Sequence, residues 1–216
     1  MKKFMTFLVV IALILAAGCS SPSVPVEDIE GFDKYTNDEH GFSLQYPEDW
    51  ILLDGSLSEE ELTAALEEVF ADDARQVLED LGADLSSAVA YWYDFDTATE
   101  DFVPNVNLTV AAAAGMTQNN LKNAATLKEM QGMLEDAYES IFSDFTVVEN
   151  MNSKKLGNND FAVFKFKVDV YGINAGFCQA MIVNGGDIYT FTLTTFSDKL
   201  SSAVSRFEQM LSSVAF

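Results

Sequence analysis

The alternation of apolar and polar residues near the end of the chain constrains the fold more than any other feature. The first run of alternating residues reads Phe164, Lys165, Phe166, Lys167, Val168, Asp169 and Val170. A second run covers residues 177–183, and Asn184-Gly185 joins it to a third run at 188–195. A period of two is typical of a strand with one buried face, and Asn-Gly between two such runs indicates a tight hairpin. The three runs therefore predict consecutive antiparallel strands.

Further strands are predicted earlier in the chain. Residues 41–47 alternate apolar with small or polar side chains and end at a proline, and residues 50–53 predict a second, short strand. The aromatic and β-branched segments 88–95 and 105–112 predict two more strands, with an acidic loop between them.

Helices are predicted between these groups of strands. Ser58 and Glu61 have the spacing of a capping box, and a second short helix is expected from 74 to 81, where Gly82 ends it. A long helix is expected to start near a further capping box, and a last amphipathic helix covers 200–214. The capping box of the long helix is formed by Thr126 and Glu129, and Thr117 is a possible earlier start. The last helix is expected to be capped by Ser197 or Asp198. Helices inserted between groups of hairpin-connected strands are typical of the α+β class, here an antiparallel sheet covered by helices.

The strand at 41–47 belongs to the most specific motif. Residues 41–50 read Gly-Phe-Ser-Leu-Gln-Tyr-Pro-Glu-Asp-Trp, and a glycine-containing hairpin, a threonine-rich strand and a terminal helix follow much later. This arrangement resembles the PsbP-like family over most of residues 35–216, although the two acidic helices between 58 and 82 depart from a minimal member. The resemblance implies an antiparallel sheet covered by helices and a non-enzymatic accessory module. Plant members of the family assist photosystem assembly, a role that the resemblance does not transfer to this chain.

The first 18 residues have the layout of a signal peptide. Two lysines precede a nearly unbroken apolar run over 4–17, and small residues close the segment. The run is shorter than the roughly 20 residues that span a bilayer. Residues 15–19, Leu-Ala-Ala-Gly-Cys, resemble a bacterial lipobox with the leucine one position early. The resemblance implies cleavage before Cys19, a diacylglyceryl thioether on that cysteine and usually acylation of the new amine.

Lipid on Cys19 is expected to hold the mature chain to the extracytoplasmic face of a cell membrane. Each buried methylene contributes about 0.8 kcal/mol to membrane binding, so several acyl chains give a firm anchor. The acidic, Ser/Pro-rich segment 19–34 is expected to be a lipidated tether, which leaves 35–216 as one domain.

The chain is strongly acidic. It has 34 Asp and Glu against 12 Lys and Arg, a formal charge of −22, and loss of the first 18 residues removes two lysines and changes the charge to −24. Such a charge repels nucleic acid, and Lys and Arg gather nowhere along the sequence, so nucleic acid is not expected as a partner. A hydrophobic content of 49% predicts an ordered domain with a sizeable core.

Side chains that could be reactive are few. Cys178 has no partner once Cys19 carries lipid, and its alternation with Ala180 and Ile182 predicts a buried, inert thiol. His40 is the only histidine and is expected in a loop before a strand. No cofactor is expected, since the glycine pairs fall in predicted hairpin turns and not in a phosphate-binding loop. These glycines are Gly172, Gly176, Gly185 and Gly186.

Carboxylates give the one metal hypothesis. The loop between the strands at 88–95 and 105–112 carries Asp94, Asp96, Glu100 and Asp101. Hard oxygen ligands of this kind can hold calcium, but the spacing lacks the glycine and the final glutamate of a helix-loop-helix calcium site. A solvated acidic loop is the simpler interpretation.

The function expected from the sequence is a membrane-anchored, non-catalytic binding or assembly module outside the cytoplasm. Its partners are the membrane, through lipid on Cys19, and an envelope protein or small ligand whose identity the sequence does not give. The alternatives are an envelope enzyme that uses paired carboxylates and a calcium-binding accessory domain.

Overall fold

The computed structural model describes residues 27–54, 88–99, 102–170 and 172–216. The signal peptide, Cys19, most of the tether and the two helices between 58 and 82 were predicted in segments outside these residues. Glu100 and Asp101 of the acidic loop also lie outside them.

The described strands form two antiparallel sheets. They are β1 (Phe32–Asn37), β2 (Phe42–Pro47), β3 (Ile51–Asp54), β4 (Ala90–Tyr93), β5 (Asn105–Ala112), β6 (Ser143–Leu156), β7 (Asn159–Val170), β8 (Ile173–Asn184) and β9 (Asp187–Phe196). A small sheet pairs β1 with β2. The large sheet has the order β3-β4-β5-β9-β8-β7-β6, and all its neighbours are antiparallel.

Two α-helices within the described residues cover the large sheet. Helix α1 (Ala124–Glu139) follows a short 3₁₀ helix at Asn120–Lys122, and helix α2 (Leu200–Ser212) ends the fold. The α+β class and the antiparallel sheet predicted from the sequence are confirmed.

One face of the large sheet packs against α2 and the small sheet. Trp92, Phe191 and Cys178 contribute from the sheet, and Phe207 from α2 joins them in one apolar cluster. All four side chains are fully buried. This cluster is the larger part of the core.

The opposite face packs against α1. Phe164 and Phe166 of β7 lie under Leu127, Met130 and Tyr138 of the helix. The ring centroids of Tyr138 and Phe166 are 4.7 Å apart and stacked. Burial on both faces explains why β7 needs apolar residues at 161–164 without interruption.

Strand β6 was not predicted from the sequence. Its pairing with β7 contains three register shifts, between Ser143 and Thr146, Val147 and Glu149, and Glu149 and Asn152. Each shift adds one residue to β6, which is a β-bulge and reverses the faces of the residues beyond it. The sequence therefore shows no sustained period of two there.

Regular structure is present before the boundary expected at residue 35. Strand β1 begins at Phe32, inside the segment assigned to the tether. The buried Gln45 side chain also accepts a hydrogen bond from Ile29 N at 2.7 Å and donates one to the carbonyl of Glu27 at 2.9 Å. The chain is thus held against β2 from Glu27 onward.

The helix caps differ from those expected. Asn123 caps α1, because its Oδ1 accepts hydrogen bonds from Ala125 N and Thr126 N at 2.9 and 3.2 Å. Helix α1 thus starts ahead of the Thr126 capping box. At α2 the N-cap residue is Lys199, which makes no side-chain cap hydrogen bond, so neither Ser197 nor Asp198 caps it.

Gly176 does not lie in a turn as expected. It is inside β8, where an added Cβ would lie 3.1 Å from Leu200 Cβ and 3.2 Å from Ser197 Cα. The strand passes close beneath the start of α2 there, so a larger residue would require Leu200 or Ser197 to move by a few tenths of an ångström.

Candidate functional site

A groove of about 550 Å³ lies between α1 and β6. Its volume is in the range of sites that bind small molecules or a few residues of a peptide. Apolar atoms come from Ala124, Leu127 and Met151, and polar side chains surround them. The polar residues are Lys122, Lys128, Gln131, Glu135, Asn150, Asn152 and Ser153.

Gln131 connects the helix to the strand in the middle of this groove. Its Oε1 accepts a hydrogen bond from Met151 N at 2.8 Å, and its Nε2 donates to Asn150 Oδ1 at 2.9 Å. Nε2 also donates to Glu135 Oε1 at 2.6 Å. The bulge between Glu149 and Asn152 leaves Met151 N without a partner on β7, and Gln131 supplies one.

Helix α1 runs antiparallel to β6 across the groove. Gln131 lies opposite Met151, and about two turns later Tyr138 stacks on Phe145 with 6.2 Å between ring centroids. The strand numbers fall as the helix numbers rise. The groove therefore has one end at Lys128 and the other at Glu135.

The two ends of the groove carry opposite charge. Lys122 and Lys128 line one end, and the Lys122 ammonium pairs with Asp160 at 2.6 Å. Both members of that pair are partly exposed, so it contributes little stability. Lys122 lies in the 3₁₀ helix and Lys128 in the first turns of α1, six residues later.

The acidic loop is only partly described. Asp94 Oδ1 accepts a hydrogen bond from Thr97 N at 3.3 Å, as expected of a residue that shapes its own turn. Within 27–54, 88–99, 102–170 and 172–216, no three His, Cys, Asp or Glu residues are grouped as a metal site would require. Because Glu100 and Asp101 lie outside those ranges, calcium binding by Asp94, Asp96, Glu100 and Asp101 stays a prediction.

His40 has a structural role. It lies in the turn between β1 and β2, where its backbone N–H donates to Asn37 Oδ1 at 2.9 Å. Its carbonyl accepts a hydrogen bond from the Tyr189 hydroxyl at 2.8 Å, which ties the small sheet to β9. These contacts use the backbone of His40, and they account for its position without an active site.

Cys178 is buried in the core beneath α2, as the alternation predicts. Burial raises the pKa of its thiol to about 12, and the nearby Lys165 ammonium opposes that rise only in part. A thiol so seldom ionised is a poor nucleophile and a poor metal ligand. Cys178 is a core residue.

We expect Cys178 in the folded full chain to react slowly with a thiol reagent at pH 8 and rapidly after denaturation. Between the ordinary cysteine pKa of 9.0 and about 12, the unfolded chain loses this proton and the folded chain keeps it, so stability should fall as pH rises through that range. Stopped-flow labelling and urea titrations at pH 8 to 11 measure both effects. Cys178→Ala is the control, which should show no labelling at this position and a smaller fall in stability, because only the buried tyrosines whose pKa burial also raises still contribute. Fast labelling of the native protein would contradict the burial.

No helix within the described ranges is both long and apolar enough to cross a membrane.

Solved structures of other proteins are similar to this fold. The solution structure of cyanobacterial PsbP (CyanoP) from Synechocystis sp. PCC 6803 is similar at 16% identity, with a TM-score of 0.53 over 89% of this chain and 96% of that chain. LpqN, which is involved in cell envelope biogenesis of Mycobacterium tuberculosis, aligns at 12% identity with a TM-score of 0.46 over 89% of each chain. Protein PA94 of unknown function from Pseudomonas aeruginosa aligns at 12% identity with a TM-score of 0.41 over 84% of this chain and 94% of that chain.

A comparison with curated proteins finds no match. The sequence profile of the PsbP family matches residues 30–216, which include both sheets, both helices and the groove. The first residue matched lies two residues before β1, which begins at Phe32. The chain therefore belongs to the PsbP family.

Proposed function

We propose that this protein is a lipid-anchored, non-catalytic binding module on the extracytoplasmic face of a cell membrane, and that the groove between α1 and β6 is its binding site. The observation that carries the proposal is the groove itself, a concavity of about 550 Å³ with apolar atoms at its base and seven polar side chains around them. Such a surface can hold a ligand by shape and hydrogen bonds. PsbP-family members are generally non-enzymatic accessory proteins, which supports the same conclusion.

The two side chains best suited to nucleophilic chemistry lie outside the groove. His40 lies in the β1–β2 turn and Cys178 lies in the core beneath α2. The groove contains neither residue, and its charged groups are two lysines and one glutamate. This composition favours recognition over catalysis.

The anchor supports a site that works close to the membrane. Cys19 closes the predicted signal peptide, and Gln45 holds the chain at Glu27. The eight residue steps from Cys19 to Glu27 reach at most about 28 Å when fully extended, at 3.3 to 3.6 Å per residue. A lipidated Cys19 would therefore keep the domain within one domain diameter of the bilayer.

Replacing Cys19 with serine is expected to abolish lipidation and leave an unprocessed precursor, because the thioether forms on the cysteine sulfur. Incorporation of labelled palmitate into the full chain in its own cells measures this, and Cys178→Ser serves as the control that should label normally. Continued labelling of the Cys19→Ser protein would rule out the lipid anchor at this position.

The binding role is tested by exchanging the anchor. A module that holds a partner near the membrane should keep its function when an unrelated lipid anchor or transmembrane helix replaces residues 1–19, and should lose it when released, because the local concentration of the partner falls. Growth under envelope stress of cells that lack the gene, complemented with each form, supplies the readout. The purified full chain should show no turnover in a broad hydrolase screen, and turnover removed by a single carboxylate substitution would favour an envelope enzyme instead.

A further inference from the structure

The groove runs beside a free edge of the large sheet. β6 ends the strand order, so its outer side has no strand partner within the described ranges. Between 143 and 152 three bulges distort this strand, and Met151 N already donates its hydrogen bond to the Gln131 side chain. From Asn152 to Leu156, however, β6 pairs with β7 residue for residue. A regular outer strand presents backbone N–H and C=O groups that can pair with another chain.

The opposite wall of the groove is one flank of α1. Lys128, Gln131, Gly132 and Glu135 follow one another at steps of three, one and three residues, which places them along one side of the helix. Lys128 and Glu135 are seven residues apart, a rise of about 10 Å along the axis. An extended strand covers the same length in about three residues.

We propose that the groove binds an extended segment of a partner protein, which pairs with the outer edge of β6 at Asn152–Leu156 and places an acidic side chain against Lys128. This inference rests on the proposed binding function and names the class of ligand. Adding a strand to a sheet edge beside a helix is a general mode of peptide recognition, in which backbone hydrogen bonds give affinity and side-chain contacts give specificity. Here the lysine end of the groove fixes where the acidic residue of the segment lies.

The charge beside Asn152–Leu156 defines the sequence that the groove prefers. Gln131 lies opposite Met151 and the strand numbers fall as the helix numbers rise, so this part of β6 lies beside Lys128 and away from Glu135. An acidic residue of the segment meets Lys128. The preferred segment therefore carries an acidic residue among strand-forming residues.

A random library of displayed dodecapeptides, selected on the full chain in detergent, is the probe for this site. We expect enrichment of peptides that carry an acidic residue among strand-forming residues. When the peptide is added, the amide protons of 152–156 should become protected from exchange. Enriched peptides that are basic throughout or that bind as helices would overturn the proposal, and so would a library that yields no binder.

Gly132 allows a test that leaves the fold intact. A Cβ at Gly132 meets no atom within 4 Å, and glycine is a poor residue inside a helix, so Gly132→Leu should fill the groove without lowering the melting temperature. Peptide affinity should fall by at least tenfold with Gly132→Leu and about fivefold with Lys128→Gln. Gly132→Ala, which adds one methyl group, and Lys199→Gln, which removes an exposed lysine at the start of α2, are the matched controls and should bind normally. Equal affinity in all four variants would place the peptide elsewhere.

The peptide experiment tests the groove and the anchor exchange tests the anchored role, so either proposal can fail without the other. The peptide measurements use the protein in solution and do not depend on where it resides in the cell. Peptide binding at the groove together with unimpaired function of the released protein would remove the anchored role and leave the groove assignment standing. Loss of function on release together with wild-type peptide affinity in Gly132→Leu would do the reverse.

Discussion

Gly157→Ala is expected to destabilise the protein by at least about 3 kcal/mol. Gly157 lies in the two-residue turn between β6 and β7 at φ +58, a region that residues with a Cβ seldom adopt. A Cβ added there would overlap the backbone carbonyl oxygen of Ser212 and lie 2.8 Å from its carbonyl carbon. The overlapping group is the backbone carbonyl of Ser212 at the end of α2, which cannot rotate away as a side chain could. Either the turn or the helix must therefore shift.

Gly185→Ala separates the two parts of that effect. Gly185 lies in the two-residue turn between β8 and β9 at φ +61, but an added Cβ meets nothing within 4 Å. Its substitution should therefore cost only the backbone term, about 1 kcal/mol. Urea unfolding followed by fluorescence of the two buried tryptophans, Trp50 and Trp92, measures both variants. Equal losses would show that the turn at Gly157 does not press on α2.

Phe166→Ala is expected to cost about 3 to 5 kcal/mol, the range found when a buried phenylalanine is replaced by alanine. Phe166 is fully buried at the centre of the aromatic cluster beneath α1. Its ring centroid lies 4.7 Å from that of Tyr138, 4.9 Å from that of Phe177 and 5.3 Å from that of Phe145. The cavity would remove the support of the C-terminal half of α1.

Two matched variants define what Phe166 contributes. Phe166→Leu keeps most of the buried volume and should cost less than about 1.5 kcal/mol. Val148→Ala, at a side chain of β6 that is 49% exposed, should change stability by no more than about 0.5 kcal/mol. Urea titration measures all three, and hydrogen exchange should show α1 opening first in Phe166→Ala. A loss below 1 kcal/mol for Phe166→Ala would mean that this face of the sheet is not closely packed.

The strands that the sequence predicts best are those whose residue pattern is visible locally. β5 was expected at 105–112 and occupies Asn105–Ala112. The hairpin expected at Asn184-Gly185 forms with Gly185 and Gly186, at φ +61 and φ +97, as its two turn residues. From Tyr189 to Thr194 of β9 one face is buried in the core and the other is half-buried, so apolar and polar residues alternate there. A period of two is visible in a sequence when the surroundings of a strand repeat with the same period.

The groove was not predicted, because neither of its walls carries a local signal. The β6 wall is hidden by bulges, which shift the register by one residue three times. The α1 wall was recognised as an amphipathic helix, but the function of its polar flank depends on which strand lies beside it. Gln131 and Met151 are 20 residues apart, and their hydrogen bond exists only because the helix packs back antiparallel to β6.

The sequence by itself determined the α+β class, the antiparallel hairpins, the burial of Cys178 and the PsbP family, because each depends on local periodicity or a short motif. The tertiary structure decided where the domain begins, which strand forms the outer edge and which charges meet in the groove. These features depend on contacts between distant segments, such as Gln45 with Glu27 and Lys122 with Asp160. Burial of the apolar faces drives the chain to fold and brings such pairs together. Which polar side chains become neighbours depends on how the helices and strands pack, and a local sequence pattern does not contain that information.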